Sequence, residues 1–191
     1  MSHSPRKTRD HFNTARAEAL NAYALLEKGL ALLFATALST DPRYATLTIS
    51  KIINTRARNE VVQRVVNMST VNAFKAFTNS LFVLIGQCDS ERNKLVHWYV
   101  EEKHGQIALR PTDLLTKSDD RMTADDINAL WAKCLFLCQL VSKFDAHQSN
   151  WAHDPALHER FLQPLRYPPE PDDPLFPSYK DIVALPRPLQ A

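Results

Sequence analysis

The chain has 191 residues, which suits one compact domain plus a tail, and a formal net charge of +2, too small to imply a wholesale nucleic-acid or membrane-surface binder. It holds only three glycines. Sheet-rich folds need glycine at many turns and bulges, whereas a helix interior penalises it by about 1 kcal/mol relative to alanine, so an all-α fold is expected and any RNA affinity must come from local clusters of cations.

Residues 1–10 are polar and basic without apolar periodicity and read as a disordered arm. From Phe12 onward Leu20, Tyr23, Leu26, Leu30, Leu33 and Phe34 recur at three- and four-residue intervals, predicting a first helix with a broad buried face. Its most apolar part, Ala17 to Leu38, contains Glu18, Glu27 and Lys28, so a core helix is expected rather than a membrane span. Asp41-Pro42 ends it, and proline suits the first position of the next helix. That second helix is predicted to run through Ile49, Ile52, Ile53, Val62 and Val66, with Lys51, Arg56, Arg58 and Arg64 on its other face. The three arginines are candidate phosphate contacts or simply a solvated face.

Ser69-Thr70 offers a cap to a third helix, opened by Val71, Phe74, Phe77 and Leu81 and continued through Cys88, Leu95 and Val96, with a break at Gly86 as an alternative. His104-Gly105 supplies its stop signal. Gln106 to Leu115 reads as a short extended insert after this helix. Thr123 followed by Asp126 resembles an acidic helix start, and Ile127, Leu130, Trp131, Leu135, Cys138 and Val141 carry another amphipathic helix. A last short helix is placed after Asp154-Pro155. Prolines between Tyr167 and Pro174 cannot sustain helix, so residues 11–163 form the helical domain and 164–191 a proline-rich tail. The tail is either docked through Leu175, Phe176, Tyr179, Ile182, Val183 and Leu185 or disordered.

Cys88, Cys134 and Cys138 are odd in number and sit inside apolar helical patterns, so buried thiols in a reducing cytoplasm are expected. His147, His153 and His158 with Asp145 and Asp154 have metal-ligand composition, but Asn150-Trp151 and Pro155 break the helix that would align them, and a polar loop is expected. No metal or cofactor is expected.

The chemistry-bearing segment is Glu91-Arg92-Asn93-Lys94-Leu95-Val96-His97-Trp98-Tyr99. At about 100° per residue Asn93 and His97 stack one turn apart near the end of the third helix, while Arg92 shares a neighbouring stripe with Val96 and Tyr99. Cleaving RNA without a metal needs a group to take the 2′-hydroxyl proton, a group to protonate the leaving 5′-oxygen, and positive charge on the phosphoryl oxygens. Histidine and arginine supply these, but one helix carries one of each. A two-fold homodimer would bring a second copy across the interface. The competing reading is a non-catalytic helical dimer that binds a protein or nucleic-acid partner through the same surface.

Arg92-Asn93-Lys94-Leu95-Val96-His97 resembles the R-N-x3-H motif of the HEPN superfamily, loosely supported from Phe12 to Phe144. The resemblance implies an antiparallel helical bundle, usually dimeric, whose paired motifs form a ribonuclease site at the interface, often in toxins or defence effectors. It implies that Arg92 binds the scissile phosphate, His97 is the acid-base group and Asn93 orients the site, with 2′,3′-cyclic phosphate and 5′-hydroxyl ends as products. Lys94 joins the arginines as a candidate RNA contact. His97-Trp98-Tyr99 is similar to the H-x-Y ending of HEPN toxins whose tyrosine is nucleotidylated by an antitoxin, which makes Tyr99 a candidate modification site. Some such sites carry a further acidic residue, for which both Glu18 and Asp89 are candidates.

Overall fold

The computed structural model describes residues 5–103, 105–112, 120–150, 155–169 and 173. Helix α1 (Pro5–Ala37) starts inside the segment expected to be a disordered arm. Proline at its first position is compatible with this, because the first turn has no intrahelical use for that N–H. With 33 residues it is about 50 Å long and spans the domain. Its buried stripe, Phe12, Ala15, Ala19, Ala22, Leu26, Leu30 and Leu33, packs along α5 (Ala124–Asn150), whose Ile127, Leu130, Leu137, Val141 and Phe144 have no exposed surface. Gly29 marks the close approach of the two helices: a Cβ there would lie 3.4 Å from Val141 Cγ1.

The run predicted as one second helix is two, α2 (Pro42–Ser50) and α3 (Thr55–Ser69). Asn54 is the reason, since its Oδ1 accepts from the Ala57 N–H at 3.0 Å and starts a new helix where the old one would have continued. Ile53 in the break is 96% exposed and contributes nothing to the core. Ser69 and Thr70 close α3 rather than open the next helix, both hydroxyls donating to the Val66 carbonyl. After a single 3-10 turn at Asn72–Phe74, α4 (Lys75–His97) runs through Gly86 without a break.

Helix α4 stops at His97, ahead of the expected signal at His104-Gly105. Trp98 is already extended, and Tyr99–Lys103 forms β1, paired antiparallel with β2 (Gln106–Arg110) so that Tyr99 faces Arg110 and Lys103 faces Gln106. The glycine turns this hairpin, at φ 75°, instead of ending a helix. The insert is therefore a strand whose partner is the segment after the motif; His104 and the far end of the insert, through Leu115, lie outside the described residues.

The acidic helix start is present: the Thr123 N–H donates to Asp126 Oδ2 at 2.7 Å and the Asp126 N–H to Thr123 Oγ1 at 3.4 Å. Helix α6 (Pro155–Phe161) follows as expected. The described histidines of this region do not lie in a polar loop. His147 is buried on α5 and His158 sits on α6, both stacked edge-on against Phe74, while His153 and Asp154 lie outside the described residues. The first part of the tail is docked, with Leu165 buried, Tyr167 against Phe136 and Arg160 paired to Asp173 at 2.8 Å. Its later apolar anchors from Leu175 to Leu185 lie outside the described residues. Cys88 and Cys134 are buried free thiols and Cys138 is partly buried. Helix α5 is long and apolar enough to cross a membrane by length and composition, and more than half of that stretch is buried against the other helices.

Candidate active site at the end of helix α4

Helix α4 carries the motif at its C-terminal end, where four backbone carbonyls lack intrahelical donors. Arg16 of α1 fills part of that need: its Nε donates to the Leu95 carbonyl at 2.6 Å and one Nη to Val96 at 3.5 Å. A buried Leu95 and this arginine thus fix the last turn, which carries His97 at the surface. Asn93 is exposed one turn earlier on the same stripe, and Arg92 beside it is half-buried.

Beneath the motif lies a buried polar node that joins three helices. Asp89, one turn before Arg92, accepts from Tyr23 Oη of α1 and from Asn59 Nδ2 of α3. Burial pushes the Asp89 carboxyl up from its ordinary range, against the opposing pull of the Tyr23 hydrogen bond and of Arg58. The Tyr23 phenol is pushed up as well, first by burial and then by the hydrogen bond to Asp89, so it remains a donor. The guanidinium of Arg92 lies 5.5 Å from the centre of the Tyr23 ring, and one of its Nη atoms donates to Asn93 Oδ1 at 3.2 Å. Its Nε is buried with no partner among the described residues. Arginine and asparagine are thus aligned side by side, with the outer part of the guanidinium left for an anion.

The geometry separates the two acidic candidates. Asp89 touches the elements that position Arg92, whereas Glu18 is exposed and sits about 200° around α1 from Arg16, away from α4. Among the cations expected on the second helix, Arg58 is turned inward. It pairs with Glu27 of α1 and is only 18% exposed, which removes it from the free cationic surface. Arg56 is exposed and pairs with Glu60 one turn on at 3.2 Å, and Arg64 is exposed. Lys94 lies over the Trp98 ring at 5.2 Å. Tyr99 is half-exposed at the first position of β1, not on the motif helix, because the chain has already turned extended at Trp98.

Reading the sequence for chemistry missed Arg16, Tyr23 and Asn59. Tyr23 and Arg16 share the buried face of α1 at a spacing of two turns, but nothing local marks them as polar partners of a helix far along the chain. Asn59 interrupts the apolar stripe of Val62 and Val66 on α3, and a buried amide on an apolar face was the available signal. Among the described residues no group of three or more histidine, cysteine, aspartate or glutamate side chains is arranged to hold a metal ion. A cleft of about 510 Å³ opens between α3 and α4, lined in part by Asn59, Asp89 and Asn93. Comparison with family models, with curated proteins and with solved structures found no match to this chain.

Proposed function

We propose that this protein is a metal-independent endoribonuclease of HEPN type, acting on RNA as a homodimer whose two motifs face each other. The observation that carries the reading is the arrangement of Arg92, Asn93 and His97 along the solvent-facing end of one helix, backed by the Tyr23–Asp89–Asn59 node and held from behind by Arg16. In such a pair one His97 takes the proton of the 2′-hydroxyl as its oxygen attacks phosphorus, and the other protonates the 5′-oxygen as the P–O5′ bond breaks. The Arg92 guanidinium neutralises the non-bridging oxygens, and Asn93 sets its direction. The products carry 2′,3′-cyclic phosphate and 5′-hydroxyl ends. A role as a toxin or defence effector, restrained by an antitoxin that modifies Tyr99, belongs to the same proposal and is supported by the exposure of that residue beside the motif.

The test is cleavage of single-stranded RNA in excess EDTA, followed by end analysis with a polynucleotide kinase that labels only 5′-hydroxyl ends. Direct labelling of the new ends supports the reading; 5′-phosphate ends, or cutting that requires added metal, contradict it. A second reading, a helical dimer that binds a protein partner without catalysis, is favoured by the apolar residues left exposed on two adjoining helices, Leu25 and Leu32 of α1 with Tyr44 and Leu47 of α2. Partner binding that is insensitive to Arg92→Ala and His97→Ala, in a protein that leaves RNA intact, would select it.

A further inference from the structure

Helices α3 and α4 pack antiparallel, Asn59 against Asp89 and Gln63 against Asn79, so the first turn of α3 stands beside the motif end of α4. Between them runs the cleft of about 510 Å³, within the range of roughly 300–1,000 Å³ of small-ligand sites. One wall is a single stripe of α4, Phe82, Gly86, Asp89 and Asn93, whose next member is His97, about 6 Å further along the helix axis. The cleft is therefore continuous with the proposed catalytic end of α4.

Gly86 keeps this space open. It is exposed in a helix interior, where only proline is a poorer helix former, and a Cβ built on it meets nothing within 4 Å. No neighbour among the described residues needs the glycine for packing. A large side chain at this position would instead project into the cleft, on the stripe that leads to Asn93.

The charges of the lining decide which part of an RNA the cleft suits. Among the described lining residues Arg56 is the one cation, and it is paired to Glu60 at 3.2 Å. The Asp89 carboxyl accepts from Tyr23 and Asn59, so its charge is met from inside the protein. A phosphate in the cleft would find no free cation and would face the carboxyls of Glu60 and Asp89, whereas Arg92 offers the outer part of its guanidinium just beyond. The uncharged groups are more open. Asn54 Oδ1 is held by the Ala57 N–H and Gln63 Nε2 donates to Asn79, which leaves Asn54 Nδ2, the Thr55 hydroxyl and Gln63 Oε1 along the α3 wall. These donors and acceptors sit on exposed or half-buried side chains, opposite the largely buried ring of Phe82. The sugar and base of a nucleotide fit such a lining better than its phosphate. Groups that turn freely match no single base edge, so the fit tolerates any base.

We infer that the cleft is the subsite for the nucleoside next to the cleaved phosphate, holding it whatever its base while the phosphate stays at Arg92 and His97. The inference rests on the ribonuclease reading for what happens at the phosphate, but occupancy of the cleft is measured by binding alone. Wild type, Gly86→Ala and Gly86→Leu are titrated by fluorescence anisotropy, at one salt concentration, with uncleavable 2′-O-methyl 12-mers of A, C and U and with the same backbone lacking every base. Gly86→Ala adds one methyl group to an open space and should bind as the wild type does. Gly86→Leu fills the cleft and should bind A, C and U alike at least about tenfold more weakly, the scale of one base contact. The baseless strand should bind wild type and Gly86→Leu equally, because the part that fills the cleft is gone and its phosphates are untouched by the change. Both substitutions improve helix propensity and should raise Tm, which separates filling of the cleft from damage to the fold. If Gly86→Leu fails to fold, Gln63→Trp fills the cleft from the opposite wall and should give the same loss.

Wild-type affinity in the filled variant, an equal loss with the baseless strand, a loss confined to one base, or no binding by the wild type overturns the inference. Metal-free cleavage that is undiminished in Gly86→Leu would also overturn it and leave the ribonuclease reading standing. A base-dependent loss of RNA binding in a protein that never cuts would do the reverse, upholding the nucleoside site and removing the ribonuclease reading.

Discussion

Replacing Tyr23 by phenylalanine isolates the polar node under the motif. The change removes one atom, the hydroxyl that donates to Asp89, while the ring that faces Arg92 at 5.5 Å is retained. Tyr23 is 3% exposed, so water does not readily replace the lost donor. A buried hydrogen bond to a charged group contributes about 1.5–3 kcal/mol, and for a chain of this size each kcal/mol moves Tm by roughly 2–4 °C. A fall of about 3–12 °C at pH 7 is expected by circular dichroism, with the helical spectrum unchanged before the transition. The pH dependence follows from the direction of the Asp89 shift. Its carboxyl is raised in the folded state, so the fold binds more protons than the unfolded chain and its stability falls as pH rises through the interval above the ordinary carboxylate range. Tyr23→Phe removes an influence that lowers this carboxyl, so the loss of Tm should be larger at pH 8 than at pH 4.5. A loss of Tm below 1 °C at pH 7, or one larger at acid pH, would refute the reasoning.

Asp89→Asn removes the ionisable group itself, and the pH dependence of Tm above pH 5 should flatten; a slope equal to that of the wild type would show that another group carries it. Arg16→Ala removes the donors at the C-terminus of α4, and hydrogen–deuterium exchange should accelerate at Leu95 to Trp98 with a loss of about 1–3 kcal/mol in stability, while α5 stays protected. Unchanged exchange across the last turn would mean that Leu95 burial alone fixes it.

The helices were legible where periodicity and burial coincide. The stripes of α1 and α5 are long, and each residue on them reports the same face, so Phe12 to Phe34 and Ile127 to Val141 were read correctly from spacing. Boundaries that depend on one side chain were not. Asn54 divides the second helix through a single capping bond, and Thr70 closes α3 where its position suggested the start of α4. The end of the motif helix was placed too late because Gly105 is as good a hairpin turn as a helix stop, and only the pairing of Tyr99–Lys103 with Gln106–Arg110 decides between them. The motif residues Arg92, Asn93 and His97 were legible as a string, and their shared helix follows from spacing. Of their support only Asp89 was legible, as one of two acidic candidates; Tyr23 and Asn59 meet it only after three helices pack, and a contact between residues so far apart leaves no local pattern.

The central claim is that Arg92 and His97 cut RNA without a metal, and the most direct measurement is single-turnover cleavage of a labelled single-stranded RNA in EDTA by wild type, Arg92→Ala and His97→Ala. Both side chains reach the surface at the end of α4, so neither substitution should change the helical spectrum by circular dichroism. Cleavage by the wild type with a loss of at least about 100-fold in each variant, the scale of a removed acid-base or charge-stabilising group, is the predicted result. Cleavage that persists at the wild-type rate in both variants, or a wild-type protein that leaves RNA intact, would contradict it.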